Sequence, residues 1–140
     1  MKNQLNPTGD SIRAFRDRAT GKPIFMLNLL KFRDKAAYAD GRDPEMTGRE
    51  VYARYAEGME KLVIAAGGSI TFSGTPRGVL IGDAGGDDLW DAVAIVQYPD
   101  TQTMLEILRL PEYQALHVHR EAGLAGQLLI ECAAGTGLGR

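Results

Sequence analysis

The sequence predicts an α+β fold: a ferredoxin-like βαββαβ domain whose four-stranded antiparallel sheet pairs with a second copy into a dimeric α/β barrel. Three observations carry that prediction. Apolar segments alternate between strand and helix periodicity in the order strand, helix, strand, strand, helix, strand over residues 23–134. The first and third strands are apolar on both of their alternating faces, whereas helices in this plan cover only one side of the sheet. The chain has 140 residues, enough for one domain.

Taken in order, residues 1–22 read as an N-terminal extension with one short helix. Asp10 or Ser11 caps it, Ile12, Phe15 and Ala19 share a side, and Gly21 ends it. Arg13, Arg16 and Arg18 read as its solvated face. Pro23 opens the run from Ile24 to Phe32, a central strand. Residues 33–47 are polar, punctuated by Gly41 and Pro44, and read as a long surface loop. Thr47 caps the next helix and Glu50 completes a capping box. Val51, Tyr52, Tyr55, Met59, Leu62, Val63 and Ala66 then recur at helical spacing, and Gly67-Gly68 ends the helix.

Ile70-Thr71-Phe72 and Val79-Leu80-Ile81 together suggest a second strand. It is bent or lies at an edge, because Pro76 has no N–H for a ladder. Ala84 to Asp88 supply a turn, and Trp90 to Tyr98 return as the third strand. Pro99 stops it, and Asp100 or Thr101 caps a helix with Met104, Ile107 and Leu108 inward. Pro111 restarts that helix at a first turn, where a missing N–H costs nothing. Tyr113, Leu116, His117, Arg120 and Leu124 share a face. Gln127 to Ala133 form the last strand, and residues 135–140 are expected to be a disordered tail.

Composition narrows the function classes. Sixteen Lys and Arg oppose eighteen Asp and Glu for a net charge of -2, with no basic face for nucleic acid. No apolar run is long enough to cross a bilayer, and the first residues lack the apolar core of a secretory signal, so the expected location is the cytoplasm. Cys132 is the one cysteine, which rules out an internal disulfide and any cysteine-based zinc site. The two histidines, two residues apart on a helix, diverge, so neither a metal site nor a cofactor is expected. A sheet with two apolar faces needs a cover, and a second copy about a two-fold axis is the simplest one.

Several phrases carry a resemblance: MLNLLKF, Y-A-R-Y ahead of a helix ending in A-G-G, W-D-A-V-A-I-V-Q-Y-P-D, and P-E-Y-Q-A-L followed by H-R-E-A-G-L. Over roughly residues 23–134 the chain resembles domain-of-unknown-function family 1330, of the dimeric α/β-barrel superfamily. The resemblance implies a ferredoxin-like protomer pairing sheet to sheet, with a pocket between sheet and helices, and no established activity. Relatives in the superfamily include cofactor-free monooxygenases, haem-degrading enzymes, chlorite dismutases and muconolactone isomerases. The haem-degrading relatives have an Asn on the first strand, a Trp late in the third and a His on the second helix. Asn28 matches the first of these. Gln97 or Tyr98 stands where the Trp would be, Trp90 comes at the strand's beginning, and His117 and His119 fall late in their helix.

Six side chains are candidates for a site, each with a structural alternative. Asn28, the polar residue inside the first strand, can orient a ligand carbonyl or simply bond a neighbouring strand. Tyr98 can donate to a ligand or act as an acid, or else seal the barrel end. Tyr55 lies on the inward stripe, as a ligand contact or as core. Tyr113, His117 and Arg120, spaced by four and three, share one side of a helix. There His117 can move a proton and Arg120 can hold an anionic group, or His117 packs half-buried while Arg120 pairs with a carboxylate such as Glu121. His119 is expected to be exposed.

These residues imply a small homodimer with a pocket for a small, partly apolar organic molecule, neutral or anionic. Two functions fit it, beside a third reading as a structural dimer with no ligand at all. One is cofactor-free acid/base or oxygenation chemistry with His117 and Tyr98 as catalytic groups. The other is a non-catalytic metabolite-binding or stress-associated module.

Overall fold

A computed structural model describes residues 4–84 and 89–135. After helix α1 (Gly9–Asp17), the chain runs β1 (Ile24–Phe32), α2 (Gly48–Ala65), β2 (Ser69–Gly74), β3 (Ala92–Tyr98), α3 (Thr101–Leu108), α4 (Pro111–Gly123) and β4 (Leu124–Ala133). The strands form one antiparallel sheet in the order β2-β3-β1-β4. This is the ferredoxin-like arrangement, with β1 and β3 central.

The register sorts the side chains onto two faces. Ile24, Met26, Asn28 and Leu30 stand opposite Tyr98, Val96, Ala94 and Ala92 on β3. On β4 their partners are Ala133, Glu131, Leu129 and Gln127. This inner face receives the helices. Ile24, Met26 and Tyr98 pack with Phe15 of α1, Val63 of α2, and Met104, Leu105 and Ile107 of α3 in the main core cluster. A smaller cluster, Tyr38, Val51 and Ala122, lies under loop 33–47. Phe25, Leu27, Leu29, Val93, Ile95, Leu128 and Ile130 point to the outer face, each only half-buried.

Local signals explain the helices. Thr47 and Glu50 form the expected capping box on α2, and Asp100 accepts from the Thr103 N–H to cap α3. α1 starts earlier than Asp10 or Ser11 would suggest. Thr8 is its cap, and Ser11 returns a bond to the Thr8 N–H. Where α2 begins and α4 ends, two glycines allow the backbones to touch. A Cβ on Gly48 would lie 2.3 Å from the Arg33 carbonyl, and one on Gly123 would lie 2.6 Å from the Gly48 carbonyl. No other residue fits that crossing.

The second strand departs from expectation. β2 stops at Gly74, and Val79-Leu80-Ile81 is not a strand. Leu80 is 97% exposed and Ile81 90%. Pro76 removes a donor, Gly82 sits at φ 101°, and no neighbouring strand among the described residues offers them partners, so apolarity alone does not extend the ladder. Trp90 also precedes β3 instead of starting it. There the Asp91 carboxylate accepts from the Phe32 N–H at 2.9 Å and closes the end of β1. β4 begins at Leu124, three residues before Gln127, because a bulge at Lys31/Phe32 brings Leu124 opposite Phe32. Leu124 is therefore a buried strand residue and not part of the α4 face. The expected turn at residues 85–88 and the expected tail at 136–140 lie outside the described residues.

Candidate functional site

Against the main core cluster, the sheet and helices stand apart and frame a half-open cavity of about 1170 Å³. Asn28, Tyr55, Tyr98, Tyr113, His117 and Arg120 all reach its wall. β1 and β3 bring Asn28 and Tyr98 to it through their inner-face parity. α2 and α4 bring the others through helical spacing. The floor is apolar, formed by Met26, Leu30, Ala94 and Val96. Leu129, on the edge strand, is 46% exposed at one side.

An aromatic file crosses the cavity. Ring centroids lie 5.4 Å apart for Phe32–Tyr52, 5.3 Å for Tyr52–Tyr55, 6.2 Å for Tyr55–Tyr113 and 6.0 Å for Tyr113–His117. Such tilted and edge-on contacts suit the ring quadrupoles. Burial is the main cause that raises the phenol pKa values: Tyr52 is pushed up to about 12, and Tyr55 and Tyr98 go well above the ordinary range. At neutral pH they are hydrogen-bond donors, not bases. Among the described residues, the Tyr52 and Tyr98 hydroxyls have no protein partner. Neither is sealed away from the cavity, since no fully buried side-chain oxygen is left unpaired.

Polar contacts converge on Arg120. Asn28 donates from Nδ2 to the Met26 carbonyl at 3.1 Å and the Ala94 carbonyl at 3.4 Å, while its Oδ1 accepts from Gln127 Nε2 at 2.9 Å. Gln127 Oε1 in turn accepts from Arg120 Nη2 at 2.6 Å. Arg120 also donates to the Leu5 carbonyl and, at 3.3 Å, to Asn6 Oδ1. Its partners are neutral oxygens. It does not pair with Glu121, and no carboxylate lies within 4.0 Å of it among the described residues. Its field reaches Tyr52, where it opposes the effect of burial. Glu121 instead faces His117, 3.3 Å from Nδ1.

Gln127 was not foreseen as a site residue. Its signal was the parity of the last strand, which places Gln127, Leu129 and Glu131 on the face that Asn28 occupies. The wall made by Leu5 and Asn6 had no local signal, because it depends on a fold-back across β4. His119 is not exposed as expected. Its Nδ1 shares a hydrogen bond of 2.6 Å with the Tyr38 hydroxyl, which also accepts from Arg54 at 3.0 Å. Burial and then Arg42 and Arg54 hold the His119 pKa below its usual value.

No helix among the described residues is long and apolar enough to cross a membrane. No curated protein matches the chain. Among solved structures, RPA0582, a protein of unknown function from Rhodopseudomonas palustris, is 33% identical, with 94% of this chain and 96% of that one covered at a TM-score of 0.83. Its methylated form gives 33% identity and a TM-score of 0.84 over 97% of this chain and 100% of that one. At3g17210 from Arabidopsis thaliana, 14% identical, shares the fold at a TM-score of 0.50, with 82% of this chain and 98% of that one covered. A family model, described as a domain of unknown function, matches residues 36–131, from the loop after β1 to the inner face of β4. The chain accordingly belongs to that family, DUF1330.

Proposed function

We propose that the chain binds a small, partly apolar organic molecule in the cavity between sheet and helices, with an anionic oxygen of that molecule placed at Arg120. One observation carries the reading: an arginine without a carboxylate stands beside phenol hydroxyls without protein partners, over an apolar floor. Phenol donors that face a cavity are free to pair with a ligand, and an aromatic carboxylate or an enolate supplies both the acceptor and the ring. Tyr98 and Tyr52 then serve as donors, Tyr55 and Tyr113 stack on the ring, and Asn28 acts through Gln127.

His117 is the group in this wall suited to move a proton, at a carbon next to a carbonyl for example. The phenols, held protonated, favour a second reading in which the cavity holds a metabolite without turning it over. The outer face supports a homodimer in which two sheets cover each other, since Leu27, Leu29, Ile95 and Ile130 otherwise meet water.

Calorimetric titration with benzoate, salicylate and phenylacetate tests the pocket. Binding by the native protein, weakened roughly three- to tenfold in Tyr98→Phe, is the expected result for one lost hydrogen bond. Absence of binding, or binding indifferent to Tyr98 and Arg120, overturns it. Between the two readings His117→Gln decides: loss of turnover with retained affinity marks an enzyme, and a modest affinity change alone marks a binder.

A further inference from the structure

We infer that residues 4–8 form a strap over the cavity, latched on Arg120, which an anionic ligand unseats by taking the same guanidinium. This rests on the reading of the cavity as a ligand site. The strap runs antiparallel to β4 through a single bridge, in which the Gln4 N–H donates to the Gln127 carbonyl at 3.1 Å. Among the described residues its other bonds to the body of the protein go to Arg120, from the Leu5 carbonyl and Asn6 Oδ1. Gln4, Asn6 and Pro7 are exposed and Leu5 is only half-buried, so apolar packing adds little.

Arg120 Nη2 has two hydrogens, and Leu5 and Gln127 occupy both. A carboxylate that pairs with Nη2 must therefore displace one of them. Gln127 is itself held by Asn28, whereas the Leu5 carbonyl belongs to the loosely held strap. A charge-assisted bond to a carboxylate is stronger than one to a neutral carbonyl, so the exchange favours the ligand. Leu5 and Asn6 also wall a second depression of about 370 Å³, lined by Arg33, Tyr38 and Arg42 among others, and so divide it from the main cavity. Release of the strap joins the two and widens the mouth of the main cavity. Binding and strap order are then reciprocally coupled, each weakening the other.

Hydrogen exchange of the peptide spanning residues 1–15, followed during titration with phenylacetate and with its neutral isostere phenylacetamide, tests this. Phenylacetate is expected to speed exchange at residues 4–8, and phenylacetamide to leave it unchanged. Gln4→Pro, which removes the bridging N–H, is expected to bind phenylacetate roughly three- to tenfold tighter, with phenylacetamide affinity unchanged. Asn6→Ala provides a second loosened strap if the proline variant folds poorly. If phenylacetate binds while exchange in the strap stays constant or slows, the strap is not a competitor and the inference fails with the pocket intact. If only the loosened variants bind, the strap is the closed state of the site and the inference stands. If neither native nor loosened protein binds either probe, the pocket reading falls and takes the latch with it.

Discussion

Gln127 and Asn28 sit diagonally across adjacent strands, and the Gln127 side-chain amide donates to the Asn28 Oδ1 at 2.9 Å. Its other end accepts from Arg120 at 2.6 Å, so one amide ties the sheet to α4. Gln127 is 7% exposed, which makes each bond costly to leave unmade.

Replacing Gln127 with Leu should therefore lower stability by about 1–3 kcal/mol, the penalty for partly buried polar groups stranded at Asn28 and Arg120. Asn28→Leu should cost a similar amount, and the double variant less than the sum of the two. Urea denaturation of the four proteins measures the coupling, and strict additivity would sink the network.

Gly123→Ala should destabilise by about 1–3 kcal/mol, since its methyl would lie 2.6 Å from the Gly48 carbonyl and 3.0 Å from the Tyr52 backbone nitrogen. Gly78, which has nothing within 4 Å of a built Cβ, serves as the control. Thermal melts in which both alanine variants match the native protein would contradict the tight crossing.

Ionisation of the cavity phenols should limit alkaline stability. Their folded pKa values are raised, so the native state holds its protons where the unfolded chain gives them up. Stability from this source is complete below the ordinary phenol value of about 10 and falls as pH rises through the folded value, about 12 for Tyr52. Tyr52→Phe should flatten part of that decline in denaturation midpoints measured from neutral to strongly alkaline pH. An unchanged slope counts against the raised value.

His119 has the opposite sign. Its folded pKa lies below the ordinary 6.5, so its contribution is present above that value and is lost as pH falls through the folded one. Protonation would make both ring nitrogens donors, leaving the imidazole no acceptor for the Tyr38 hydroxyl. In His119→Gln the mildly acidic part of the stability profile should be shallower than in the native protein.

On the outer face, Leu27 lies between Ile95 and Ile130. If two sheets meet there, Leu27→Glu buries a charge without a partner and should convert a dimer to a monomer. Sedimentation equilibrium at micromolar concentration reads this directly. A native protein that already sediments as a monomer would refute the pairing.

The order of strands and helices was legible because periodicity, caps and the prolines at 99 and 111 are local signals. The polar faces were partly legible: helical spacing put Tyr113, His117 and Arg120 on one side, and Asn28 stood out in an apolar strand. What sequence could not supply was partner choice. Arg120 meets Leu5, more than a hundred positions away in the chain, and not its neighbour Glu121. His119 looked like solvent-facing helix until loop 33–47 delivered Tyr38 to it. Val79-Leu80-Ile81 has the composition of a strand, but it acquires no ladder because, among the described residues, no other strand lies alongside.

The separation of the hydrophobic interior into two clusters, one around Val63 and Tyr98 and one around Val51 and Ala122, has a practical side. The chamber shares a wall with the first cluster, through Phe15, Met26, Val63, Tyr98, Met104 and Leu105, while the second cluster stands apart from it. Leu129, Ala94 and Tyr52 line the chamber without belonging to either cluster, so they are the positions to exchange when this small scaffold is turned into receptors built to order.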